Sequence, residues 1–291
     1  MIYFIHIIRN IIKFIKFPIQ FIKLFNSDLN KDKTFFLKKI TTKNILVIGP
    51  PKSGTTLIEW TLGKIGYVNM AKSTHRIFDD RNLKNVHDLS SNMLKMIPKD
   101  KPTFLKRHSE ATSHNLDLIK KYDFKTIIIF RDLKDIMISR YLHMLTDKKL
   151  PQYKIYSKLD LIEGFKVSLI RNHLGTVPIQ EINNWMKNWE NEIKKKDNIY
   201  CLMDYDDFTK DKFSFFSNIL NFIDVKDKKL VQELIEEHEK HSIQISKNTL
   251  HQNLNKLDPQ TYNRTRSAQV KKILENESLD IFFEDCYKKY C

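Results

Sequence analysis

Short apolar runs alternate with helical patterns along most of the chain. NILVIG at 44–49 precedes a helical pattern near 55–65, and TFLKRH occupies 103–108. KTIIIFRD at 125–132 precedes a pattern near 133–145, and NIYCLMDY at 198–205 leads into helices through about 240. Strands alternating with helices predict an α/β fold, a mostly parallel central sheet flanked by helices. Ligands of such sheets bind at the carboxyl ends of the strands. Polar residues gather at those ends: GPPKSGTT after the first run, Lys106, Arg107 and His108 after the second, Arg131 and Asp132 after the third, Asp204 and Tyr205 after the fourth.

The first 25 residues, MIYFIHIIRNIIKFIKFPIQFIKLF, follow another rule. His6, Arg9, Asn10, Lys13, Lys16, Gln20 and Lys23 recur every three or four positions, so on a helix they form one basic stripe opposite Ile, Phe and Leu. A membrane span needs roughly 20 predominantly apolar residues and is disfavoured by cations spread through its length. The pattern suits a helix lying in the headgroup region, with packing against protein as the alternative. A cleavable signal peptide is disfavoured, because neither an uninterrupted apolar core nor a small-residue cleavage site follows. Residues 26–43 read as a polar linker and residues 44–291 as the α/β domain.

With 291 residues, 41% hydrophobic and 29% charged, the chain is long enough to bury a substantial core. Cys201, Cys286 and Cys291 fit neither a disulfide framework nor a Cys-x-x-Cys metal site, which points to a reducing, cytoplasmic compartment. The net charge of +15 predicts an anionic partner. Arginine-glycine repeats, zinc-finger spacing and aromatic RNA-binding signatures are all missing, which argues against nucleic acid. Trp185 and Trp189 would share one helix face and are assigned to core packing, as is FSFFSNILNFI at 213–223.

The choice among anions turns on residues 49–56. A loop for ATP or GTP reads Gly, four residues, Gly, Lys, then Ser or Thr. Gly49 and Gly54 keep that spacing, but Thr55 stands where the lysine is expected and Lys52 comes two residues before the second glycine.

Taken together, these residues resemble the sulfotransferases that use 3′-phosphoadenosine 5′-phosphosulfate (PAPS). PKSGTT at 51–56 looks like their 5′-phosphosulfate loop, and RDLKDIMISRY at 131–141 looks like their 3′-phosphate motif. The resemblance spans roughly residues 44–270 and implies a fold like that of the P-loop NTPases. It implies that Pro51, Lys52, Ser53, Gly54, Thr55 and Thr56 hold the phosphosulfate, with Lys52 over its bridge. Arg131 and Ser139 would take the 3′-phosphate, sharing a face if their helix starts early. Lys106-Arg107-His108 is similar to the family's Lys-x-His, which makes His108 the base and Lys106 a contact to the sulfuryl oxygens. Tyr205 in MDYDDF looks like the tyrosine that reaches the adenine, and Arg264 and Arg266 in YNRTRS stand where a basic segment clamps the 3′-phosphate. No metal is implied: two separate anion sites can be served by helix amino termini and fixed cations.

The chain also departs from the family. Leu57 replaces the tryptophan that follows the loop, Ser109-Glu110 replaces the Leu-Pro after the histidine, and Ile243 in HSIQISKN replaces a phenylalanine beside the adenine. Some members use a carboxylate base, for which Glu59 and Glu110 are the candidates. Two other readings stay open: a P-loop kinase or NTPase with an atypical loop, served by Asp132, and a non-catalytic nucleotide-binding protein of the membrane surface. The acceptor expected is a hydroxyl or amine compound, and residues 1–25 favour a lipid or something made at a membrane, met by a protein peripheral to its inner face. Residues 70–100 and 146–180 are left to line the acceptor pocket, with DKKLPQYKIYSK as a lid.

Overall fold

A computed structural model of the chain describes residue 42 and residues 44–70, 88–98, 100–146, 150–171, 177–195, 197–253, 272–273 and 275–290. The striped segment 1–25, the linker through residue 41, Arg264 and Arg266 lie outside the described residues, as do the side chains of 241–253, Ile243 among them.

Among the described residues, β1 (Asn44–Ile48), β2 (Val68–Asn69), β3 (Thr103–Arg107), β4 (Lys125–Phe130) and β5 (Tyr200–Asp204) form one sheet in the order β2-β3-β1-β4-β5. Every pairing is parallel. The four apolar runs of the sequence are thus four adjacent strands, and their carboxyl ends share one rim. From β1 the chain runs to the edge at β2, returns to fill β3 between them, then crosses to β4. That switch point is where α/β sheets leave a crevice for ligands.

Alternation along the strands divides the core into layers, since successive side chains point to opposite faces. Ile45, Val47, Phe104, Ile127 and Ile129 face one layer. It is closed by α1 (Thr55–Lys64), α8 (Tyr205–Lys210), α9 (Lys212–Phe222) and the first half of α10 (Lys228–Asn253) through Ile58, Leu62, Phe208, Phe215, Phe216 and Leu234. Leu46, Ile48, Leu105, Ile128 and Phe130 face the other, which is covered by α2 (Ser91–Leu94), α3 (Ser113–Lys121) and α7 (Ile179–Ile193) through Met93, Ile119, Trp185 and Trp189. Burial on both faces explains why the strands read as continuous apolar runs.

A third cluster gathers α4 (Leu133–Thr146), α5 (Tyr153–Tyr156), α6 (Leu161–Ile170) and α11 (Glu277–Tyr290) around Tyr141, Tyr156, Phe165 and Phe283. Of the described part of DKKLPQYKIYSK, Tyr156 is fully buried and packed edge-on to Tyr141, which ties the stretch to this cluster, while Pro151, Lys154, Ser157 and Lys158 are exposed. Of 213–223, Phe215, Phe216, Ile219, Leu220 and Ile223 are buried as expected, while Phe213 is exposed.

The amino ends of the strands are tied separately. Tyr67 Oη donates to the Thr42 carbonyl at 2.8 Å, Thr42 Oγ1 donates to Asp224 at 3.3 Å, and Lys125 donates both to Asp224 and to the Phe222 carbonyl at 2.9 Å. Thr42 therefore enters the sheet on the side away from the rim.

Candidate functional site

The loop after β1 is shaped by close approach. A Cβ at Gly49 would fall 2.5 Å from Ser53 Oγ and 2.8 Å from the Ile129 carbonyl, and one at Gly54 would fall 2.4 Å from the Tyr205 ring. Gly54 has φ 106° and opens the ten-residue helix α1 without any side-chain cap, so no side-chain acceptor competes for an anion at this helix amino terminus. Lys52 holds φ 77°, a left-handed conformation that costs a non-glycine residue energy and is kept only where the surroundings impose it. Ser53 and Thr55 are buried and Thr56 is exposed.

At the end of β3 the side chains alternate. Arg107 turns inward, with Nη2 2.7 Å from Met93 Sδ, and burial pushes its guanidinium below the usual arginine range. Lys106 and His108 are half-buried. Lys106 Nζ pairs with Glu59 Oε2 at 2.5 Å, and Asn69 Nδ2 donates to Glu59 Oε1 at 2.5 Å. His108 Nδ1 lies 2.5 Å from the Gly49 carbonyl. A carbonyl can only accept, so Nδ1 carries the proton and the neutral ring keeps its lone pair on Nε2.

Across the rim, the Arg131 guanidinium lies 4.8 Å from the Tyr205 ring centroid and donates to Asp135 at 2.9 Å. The helix does not start early enough to include Arg131: α4 begins at Leu133, and Asp132 Oδ1 caps it by accepting from the Asp135 amide at 3.0 Å. Arg131 belongs to the β4–α4 turn instead. It still reaches the side of α4 that carries Ser139, because Asp135 and Ser139 are one turn apart on one face.

The sequence reading thus places four strand ends that the sheet does bring side by side. It missed two arrangements. Glu59, considered only as a base, is the partner of Lys106. Trp185 and Trp189, considered only as core, both donate through Nε1 to the carbonyl of Ser109, each at 3.0 Å. Neither pairing leaves a local signal, since the partners are 47, 76 and 80 residues apart.

A family model described as the sulfotransferase domain matches residues 42–286. The chain belongs to the sulfotransferase family. No curated protein matches it. Among solved structures, mouse sulfotransferase SULT7A1 complexed with PAP is 17% identical with a TM-score of 0.49, the match covering 68% of this chain and 64% of that one. Retinol dehydratase in a complex with retinol and PAP is 16% identical with a TM-score of 0.45, covering 68% and 65%. Sulfotransferase STF9 from Mycobacterium avium is 13% identical with a TM-score of 0.40, covering 76% and 72%. The chain therefore spans just under two thirds of the first two.

Two buried polar atoms of this sulfotransferase bear on whether a doubly anionic nucleotide fits its rim. Ser53 Oγ and Arg131 Nε are both buried without a hydrogen-bond partner, one in the β1 loop and one at the end of β4. A buried donor left unpaired is costly, and an anion at each place would satisfy it. The glycines let the loop close this tightly, since a Cβ at 49 would collide with Ser53 and one at 54 with Tyr205. Among the described residues no group of three or more His, Cys, Asp or Glu is arranged to hold a metal ion.

Proposed function

We propose that this sulfotransferase moves a sulfuryl group from 3′-phosphoadenosine 5′-phosphosulfate to a hydroxyl or amine acceptor. What carries the reading is the pair of orphaned donors, Ser53 Oγ and Arg131 Nε, on adjacent strand ends of one rim. When bound, the nucleotide supplies the sulfuryl group and leaves as the 3′,5′-bisphosphate.

The chain's own residues divide the work. The α1 amides with Ser53, Thr55 and Thr56 hold the 5′ side, with Pro51 and Gly54 shaping the turn. Lys52, held in its left-handed conformation, faces the charge that grows there as the bond to sulfur breaks, the kind of preorganised cation that lowers a barrier most. Arg131 and Ser139 take the 3′-phosphate, and Tyr205 stands against the adenine while bracing Arg131. Arg264 and Arg266 join the 3′ clamp. His108 accepts the acceptor's proton at Nε2, its other nitrogen being committed to the Gly49 carbonyl. Lys106, oriented by Glu59, contacts the sulfuryl oxygens.

The engaged states of Glu59 and Asp132 bear on the rivals to this reading. Glu59 already accepts from Lys106 and Asn69, which disfavours it as the base. Asp132 Oδ1 caps α4. The stripe on residues 1–25 favours an acceptor that is a lipid or is made at a membrane, met by a protein lying on the inner, cytoplasmic face. No described helix is long and apolar enough to cross a membrane.

The deciding experiment is calorimetric titration with 3′-phosphoadenosine 5′-phosphate, with ADP, and with ATP and magnesium. Preference for the bisphosphate, lost in Arg131→Ala and Ser139→Ala, is expected. A magnesium-dependent preference for ATP would replace this reading with that of a kinase.

A further inference from the structure

The residue after His108 is held in a way the reaction scheme above does not use. Ser109 is fully buried, and its carbonyl accepts from both indoles of α7, Trp185 Nε1 and Trp189 Nε1, each at 3.0 Å. An indole nitrogen only donates and a carbonyl oxygen has two lone pairs, so the two bonds saturate that oxygen and their direction is fixed. Trp189 is fully buried and Trp185 nearly so. The rings also pack on the sheet, Trp185 against Phe130 and Trp189 against Tyr200, which fixes the donors themselves.

The rest of this short connection is held as well. The Glu110 carbonyl accepts from Asn115 Nδ2 at 2.9 Å, and Thr112 Oγ1 accepts from the Asn115 amide at 3.3 Å. Upstream, Arg107 is in register with Ile48 of β1. His108 therefore sits between a strand on one side and a doubly bonded peptide on the other, with its ring tied to Gly49. The backbone on both sides of the histidine is determined before any ligand arrives.

We propose that Trp185 and Trp189 are positioning residues for His108, a two-donor clamp on the Ser109 carbonyl that aims the imidazole across the β1 loop. The inference rests on the reading of His108 as the base. A core role alone asks for two large apolar rings on one helix face. It does not ask for two N–H groups aimed at one oxygen, and phenylalanine would serve it.

The test therefore uses Trp185→Phe, Trp189→Phe and the double variant, which keep aromatic rings and remove the donors. Turnover, bisphosphate binding and the nitrogen-15 resonances of His108 in isotope-labelled protein are read together. In the double variant kcat is expected to fall roughly tenfold or more, as a base displaced by a fraction of an ångström loses rate. Bisphosphate affinity is expected to stay within about twofold, because the clamp touches no anion donor. The Nδ1 resonance is expected to leave the position it has when bonded to the Gly49 carbonyl. A double variant with lower thermal stability but unchanged kcat and unchanged His108 resonances would overturn the clamp and leave the indoles as core. If that variant does not fold, the single variants decide by the same criteria, since each leaves one donor. If the parent protein neither turns over nor binds the bisphosphate, the sulfotransfer reading fails, and the His108 resonances still decide whether the indoles hold the ring.

Discussion

Arg131 stacks on Tyr205, its guanidinium carbon 4.8 Å from the ring centroid, and so links the ends of β4 and β5. A partly buried contact of this kind contributes about 1 kcal/mol. Tyr205→Leu is expected to weaken 3′-phosphoadenosine 5′-phosphate binding about three- to fivefold through a less ordered Arg131, beyond any loss of adenine contact. Tyr205→Phe keeps the face of the ring and is expected to bind nearly as the parent does. Calorimetry on the two variants checks this, and equal losses in both would refute it.

Lys52 is strained where it would act. Its φ of 77° costs a side-chain-bearing residue about 1 kcal/mol that glycine does not pay. Lys52→Gly is therefore expected to raise the urea midpoint, or at least not lower it, while kcat falls on the order of 10²-fold or more with the cation gone. Lys52→Ala, which keeps the strain, should lose as much activity without the gain in stability.

The pairing of Glu59 with Lys106 at 2.5 Å yields a ranking of variants. If His108 is the base, His108→Ala abolishes turnover, while Glu59→Gln, whose one amide oxygen can still accept from Lys106 at the cost of the bond from Asn69, lowers kcat by about tenfold at most. Steady-state kinetics of the two would reverse the assignment if Glu59→Gln proved the more damaging. Glu110, whose side chain is exposed, should tolerate Glu110→Gln.

The frame of the site was legible wherever local pattern carries it. The runs at β1, β3, β4 and β5 announce themselves because strands buried on both faces must be apolar throughout, and the loop and turn residues follow from their ends. β2 was not legible, since Val68 and Asn69 are too short a run to show any period. The start of α4 was legible at residue 133, where its pattern begins, but the condition that would put Arg131 on the helix with Ser139 is not met, because Asp132 is the cap. Glu59 with Lys106, and the indoles with Ser109, are joined only by tertiary packing. No spacing rule reaches across such separations, and a helix face that reads as core says nothing of where its two N–H groups point.

Asp224 should give the fold a small acid sensitivity. The hydrogen bond from Lys125 is the chief cause that holds its carboxyl below the usual range. The folded pKa is thus the lower one, so the stabilisation is complete above the unfolded carboxylate value of about 4 and is lost as pH falls through the folded value. The group is well exposed, 59% for its side chain, which limits the effect to about 1 kcal/mol or less. Asp224→Asn is expected to lower stability in urea at pH 7 by that amount and to show less further loss toward pH 3 than the parent. High salt should shrink the difference at pH 7.

The Thr42 contacts that carry this carboxylate also set a direction. The chain joins the sheet at the foot of β1, bonded to Tyr67 and Asp224, whereas the β1 loop, His108 and Arg131 crown its head. The point of entry and the reacting rim are therefore stern and bow of one hull. A surface that took hold of Thr42 itself would leave His108 and Arg131 facing away from it, and an acceptor would have to come to them from the other side.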